Sequence, residues 1–209
     1  MSMPSLRQQA YDRILAMIEN AELPRGAVSS EVALAQKLDM SRTPVRAALQ
    51  QLELEGYVRI VSKHGVLILD LSSQRVGDLL EIIASLAMFS VSVVHASKAN
   101  ELKDISTGMM ERFQSLKSAI PLDCSALIAF EYDLIKNLIS LCSNNEMSKS
   151  YQNSASRLFW NQNDRRWLAP YSYQTIEQVE NLIRSIGLEF ETYRHALFEY
   201  LRTLKMTWK

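Results

Sequence analysis

Residues that favour strands are gathered in one short stretch of this chain. Tyr57-Val58-Arg59-Ile60-Val61 and Val66-Leu67-Ile68-Leu69 are β-rich runs joined by Ser62-Lys63-His64-Gly65, and together they predict a hairpin with a basic tip. The sequence on both sides carries the 3.6-residue period of helices. A mostly α fold with a single small β element is therefore expected.

Before the hairpin, Tyr11, Ile14, Leu15 and Ile18 fall on one stripe of a helix spanning Leu6 to Glu19. Leu23-Pro24-Arg25-Gly26 breaks it, because Pro fixes φ and Gly accepts turn conformations. Ser29 or Ser30 can cap a short second helix, Glu31 to Leu38, with Glu31 well placed against the positive helix N-terminus. After a turn at Asp39-Met40, Ser41 can cap a third helix running to Glu55. Pro44 fits there because in the first turn its missing N–H costs nothing. Val45, Leu49 and Leu52 form the buried stripe of this helix, and Arg42, Thr43, Arg46 and Gln50 point the other way. Gly56 ends it.

Beyond Asp70-Leu71 the chain reads as helix. The expected segments are Ser72 or Ser73 to Ser97, Ala99 to Ile120, Leu122 to Leu141, Glu146 to Trp167, Tyr173 to Ile186 and Leu188 to Lys205, with breaks at Ser143-Asn144-Asn145 and Gly187. The expected architecture is mostly α: an N-terminal winged helix-turn-helix, residues 1–71, and an all-helical C-terminal domain, residues 72–209. No run of about 18 uncharged apolar residues is evident and the N-terminus lacks a secretory core, so a soluble, cytoplasmic chain without a membrane partner is expected. Two cysteines, Cys124 and Cys142, are too few for a disulfide framework or a Cys-rich zinc site, and read as buried or idle thiols.

Two short helices joined by a tight turn and followed by a hairpin describe a winged helix-turn-helix, whose second helix reads the major groove. Arg42 and Arg46 are one turn apart on its exposed face, and Arg can donate two hydrogen bonds to guanine O6 and N7. Ser41 and Thr43 are short enough to reach a phosphate or base edge, and Lys63 and His64 at the hairpin tip can reach the backbone. The net charge of zero requires that any basic field be local.

Residues 6–69 resemble the DNA-binding domain of GntR-type regulators. The stretches that carry the resemblance are Ser30-Glu31-Val32-Ala33-Leu34-Ala35, Ser41-Arg42-Thr43-Pro44-Val45-Arg46-Ala47-Ala48-Leu49, Leu52-Glu53-Leu54-Glu55-Gly56-Tyr57-Val58 and Lys63-His64-Gly65-Val66. The resemblance implies groove-reading arginines at Arg42 and Arg46, polar contacts at Ser41 and Thr43, and wing-tip contacts at His64 and Gly65. Val32 stands where many members have Arg, which implies one contact fewer.

Residues 72–209 resemble the FadR branch of that family, with an FCD-type helical domain that binds a small effector and forms the dimer. Many members hold a divalent metal there through Asp and His. Here Tyr132 and Lys136 occupy the first two ligand positions, a one-residue shift gives Asp133 and Asn137, and the later ones fall near Glu177 and Glu199, with His195 a turn before the latter. No metal or other cofactor is expected. Two readings stay open: an altered effector pocket, with Ile83, Met88, Tyr132, Lys136 and His195 as its candidate residues, or a domain that only dimerises. Ile82, Leu86, Phe89, Ile128, Phe130, Ile135 and Leu138 fit either a pocket lining or ordinary core. Arg165-Arg166 beside Trp167 reads as an exposed loop or an anion holder.

The expected partners are a double-stranded DNA operator, a second copy of the chain and a small-molecule effector, with repression as the expected outcome. An enzyme is not expected. The chain has three His, and no Ser-His-Asp, Cys-His or Gly-rich phosphate constellation supports catalysis or a metal sensor.

Overall fold

The computed structural model describes residues 4–62, 64–70, 72–96, 99–158, 160 and 163–208. The chain divides into two compact units, Met1–Leu71 and Ser72–Lys209.

In the first unit, α1 (Leu6–Glu19) starts at Ser5, whose hydroxyl accepts from the Gln8 amide at 3.2 Å. Its buried face is Ala10, Ile14, Met17 and Ile18. The stripe is thus rotated from the one expected. Tyr11 is only half-buried and donates to Glu55 at 2.5 Å. The second helix, α2 (Glu31–Leu38), is capped by Ser30 and ends on Asp39 at φ 52°, a left-handed conformation that Asp tolerates better than most residues. The third, α3 (Arg42–Glu55), ends on Gly56 at φ 81°. Leu34, Leu38, Val45, Leu49 and Leu52 close the core between the three helices. Each such burial contributes about 1.5–3 kcal/mol before entropy is set against it.

The sheet has three strands rather than the expected two. β1 (Val28–Ser29) precedes α2 and pairs antiparallel with β3 (Gly65–Ile68), which pairs antiparallel with β2 (Val58–Val61), giving the order β1-β3-β2. Val28 lies opposite Leu67 and Ser29 opposite Val66. The Glu53 carboxylate accepts from the Ile60 amide at 2.6 Å and ties β2 to α3.

The second unit is helical: α4 (Ser73–His95), α5 (Ala99–Lys117), α6 (Cys124–Ser140), α7 (Asn145–Arg157), α8 (Ser172–Ser185) and α9 (Phe190–Thr207). Asp123 and Asn144 cap α6 and α7 through their side chains. The single helix expected from Glu146 to Trp167 is instead α7 followed by a separate 3-10 turn, Arg165–Trp167. Trp160, Arg166 and Trp167 are all buried. Phe113, Phe130, Ile135, Leu138 and Tyr193 fill the core. Cys124 and Cys142 are partly exposed rather than buried.

By length and composition alone α4 is also long and apolar enough to cross a membrane, with a window of mean hydropathy 1.8. One side of it, including Leu80, Ile83, Ala87 and Val91, is core of the helical unit.

Candidate nucleic-acid interface

The exposed side of α3 begins with Ser41, Arg42, Thr43 and Arg46, all of them solvent-facing. Ser41 occupies the N-cap position with extended backbone, but its hydroxyl makes no capping hydrogen bond. The expected side-chain cap is therefore absent. The first-turn amides are not taken up by the Ser41 hydroxyl, and such helix N-termini favour anions.

Glu31, at the start of α2, holds Arg46 and stands beside Arg42. Arg46 Nε donates to both carboxylate oxygens at 3.0 Å and its Nη2 donates to Oε2 at 2.7 Å. Arg42 Nη2 stands 3.6 Å from the same Oε2. Both arginine side chains are more than half exposed, and the carboxylate is 18% exposed. The Arg46 hydrogen bonds, together with the two guanidinium charges, hold the Glu31 carboxyl below its ordinary value. A guanidinium presents two donor edges. Glu31 occupies the Nε–Nη2 edge and leaves the Nη1–Nη2 edge out of its grip.

At the wing, His64 is exposed and its amide donates to Val61 O at 2.9 Å, which closes the hairpin. Gly65 has φ 105°, and a Cβ there would sit 2.3 Å from Ser29 O. Only glycine allows β1 to approach so closely. Lys63, the other expected wing contact, lies outside the described residues. We expect Gly65→Ala to destabilise the first unit by about 1–3 kcal/mol through backbone strain and clash. Urea denaturation followed by far-UV circular dichroism measures this.

In the second unit the five candidate pocket residues are dispersed. Ile83 lines an apolar void of about 10 Å³ between α4, α6 and α9, and Met88 lines a groove of about 340 Å³ between α4 and α9. Tyr132 stacks near Tyr151, with ring centroids 5.1 Å apart, and its carbonyl accepts from the Tyr151 hydroxyl at 2.8 Å. Lys136 and His195 are exposed, and neither they nor Tyr132 line the void or the groove. Among the described residues no group of three or more His, Cys, Asp or Glu is placed to hold a metal.

Arg166 is neither in an exposed loop nor open to an anion. It is fully buried, donating through Nε at 2.7 Å and through Nη2 to Glu131 Oε2, and through Nη1 at 2.7 Å to Asn163 O. Its guanidinium lies over the rings of Trp160 and Trp208, 5.4 and 4.9 Å from their centroids. Tyr200 donates to the other Glu131 oxygen at 2.7 Å. Burial and the carboxylate raise the Tyr200 hydroxyl well above its ordinary value, so it stays a donor.

Residues 6–68 match the family model for bacterial regulatory proteins, gntR family. This segment is similar to a GntR-type domain. An uncharacterized HTH-type transcriptional regulator from the TAR-I ttuE-ttuC' intergenic region of Agrobacterium vitis is 36% identical over 37% of this chain and 45% of its own length. The chain spans less than half the length of the curated relatives it matches. Among solved structures, a GntR transcriptional regulator from Rhodococcus sp. RHA1 is similar over 97% of both chains with TM-score 0.65 and 20% identity. E. coli McbR/YncC is similar over 96% of this chain and 95% of its own, with TM-score 0.57 and 17% identity. These likenesses extend the shared fold past the GntR-type domain into the helical unit.

In the sequence Glu31 shows only as a favourable charge at a helix start. Its grip on the GntR-type arginines joins residues 15 positions apart and depends on how α2 packs against α3.

Proposed function

We propose that this chain is a DNA-binding transcription regulator, acting as a homodimeric repressor on a pseudo-palindromic operator. The observation that carries the reading is the Glu31-held Arg46, with Arg42 beside it, on the exposed first turns of α3. A recognition helix reads base edges with its N-terminal residues, and a two-fold dimer pairs with two-fold half-sites. Repression needs nothing beyond occupancy of the operator.

Fluorescence anisotropy with a duplex enriched from a random-sequence library tests it. Affinity should fall linearly with log salt concentration, with a slope of roughly −0.9 per phosphate contacted. An absence of both sequence enrichment and salt dependence would overturn the reading.

In this reading the helical unit dimerises without an effector. The void between α4, α6 and α9 has the size of a packing defect, and the groove of about 340 Å³ between α4 and α9 includes none of Tyr132, Lys136 and His195. One observation favours effector control instead. Among the described residues, buried Asn163 has neither side-chain amide atom hydrogen-bonded, and the indole N–H groups of Trp160 and Trp167 meet no partner. A thermal-shift screen of small carboxylates and amides separates the two. A compound that raises Tm and also moves DNA affinity would establish effector control.

A further inference from the structure

We infer that Val32 reads a thymine methyl group in the operator, close to the base that faces Arg46. The inference deepens the DNA-binding reading above and rests on it. Among the described residues of the first unit, four large apolar side chains are well exposed: Leu6, Val28, Val32 and Leu54. Of these, Val32 is the one that adjoins Glu31 in the chain. It is 45% exposed on the first turn of α2, a helix that buries Leu34, Ala35 and Leu38 and turns Ala33, Gln36 and Lys37 outward. Valine is a poorer helix former than the straight-chain residues that ordinarily cover an outer side. Half in water, its isopropyl group recovers only part of what full burial would contribute to the fold.

Glu31 fixes where that group lies. Its carboxylate is hydrogen-bonded to Arg46 and stands 3.6 Å from Arg42, which ties the first turn of α2 to the first turns of α3. Ser30 holds the same turn from its other end, the hydroxyl accepting from the Ala33 amide at 3.0 Å. Val32 follows Glu31 by one residue, about 3.8 Å along the backbone, and base pairs stack about 3.4 Å apart. The base pair that meets Val32 therefore lies within about three steps of the one that meets Arg46.

The chemistry of the exposed turn selects the base. The Val32 and Ala33 side chains carry no charge and no hydrogen-bonding group, so a phosphate or a polar base edge would lose water against them without a substitute. In the major groove the apolar group that a base pair presents is the thymine C5-methyl. A short branched side chain closes on that methyl and keeps out the water that a guanine or cytosine edge needs. With the Arg46 fork on a guanine, the two side chains together select a guanine and a thymine in one half-site.

Fluorescence anisotropy of the full chain on the selected duplex tests the proposal, with each thymine in turn replaced by uracil, which removes the methyl group and nothing else. At one thymine in each half-site the replacement is expected to cost about fourfold in affinity, the worth of one buried methyl group. In Val32→Ala the same replacement should cost nothing, while replacement of the guanine facing Arg46 should cost as much as in the parent. Alanine is the better helix former, so the circular dichroism spectrum should be unchanged; Val32→Ser carries the comparison if the first variant fails to fold. A scan in which no thymine methyl matters overturns the inference. So does one in which the methyl groups matter equally to parent and variant, because another side chain then feels them. A variant weakened by one factor on every duplex overturns it too, since Val32 then lies on the sugar–phosphate backbone. In these three cases sequence-selective binding, and the DNA-binding reading with it, stands. A library that yields no enriched sequence overturns both.

Discussion

Arg46→Ala is expected to lower affinity for the selected operator duplex by roughly 10- to 100-fold while affinity for unrelated duplex changes far less. The side chain stands in solvent, so the variant should fold and melt like the parent. What disappears is a planar donor edge already aimed by Glu31. Arg46→Lys tells a point charge from a fork: lysine keeps the charge and much of the salt dependence but not the two-point recognition of a guanine, so sequence preference should relax. Glu31→Gln is a second control. It leaves the arginines in place without the charge that holds them, and a smaller loss of affinity is expected. The Glu31 carboxyl is held below its ordinary value by Arg46. The grip is therefore complete at neutral pH and is lost only as the pH falls through that lowered value, so specific binding should keep a flat profile down into the ordinary carboxylate range. Anisotropy titrations at fixed salt measure all of these.

Glu131→Ala is expected to destabilise the helical unit by about 3–5 kcal/mol, a Tm decrease on the order of 10 °C. The residue removed answers three donors, two on Arg166 and the Tyr200 hydroxyl. Its loss strands a guanidinium that has no route to water, enclosed by Trp160 and Trp208. The cost is that of an unanswered buried charge rather than of one lost attraction. Replacing both partners, Glu131→Leu with Arg166→Met, removes the stranded charge too and should recover much of the loss. Differential scanning calorimetry of the two variants makes the comparison. A single variant that melts with the parent would mean the pair is dispensable.

The DNA-reading unit was legible because its signals are local. Pro44 in a first turn, Gly56 after a buried stripe and Gly65 at a tight tip each act within a few residues of themselves. β1 was not legible, since two residues make no alternating pattern and Val28-Ser29 becomes a strand only by lying against Val66 and Leu67. In the helical unit the signals are of longer range. Arg165 and Arg166 look alike in sequence, yet Arg166 is buried because a carboxylate 35 positions earlier meets it. Ile82 and Phe89 have the period of core residues, but period alone does not tell a face that buries within one chain from a face left open. The resemblance sets Tyr132 and Lys136 at neighbouring ligand positions with His195 near a later one, but the folded helices direct the three to separate places.

Ser29, Ser30 and Glu31 follow one another directly in the chain. Ser29 pairs with the wing strand, Ser30 caps α2, and Glu31 holds Arg46. On the proposed function, a shift of the wing by a fraction of an ångström would thus be delivered within two residues to the Arg46 guanidinium. Contacts under the wing and contacts in the groove should therefore be energetically non-additive: altering the operator beneath the wing would change how strongly the base facing Arg46 is discriminated, and a double-mutant cycle between wing and operator would show the coupling.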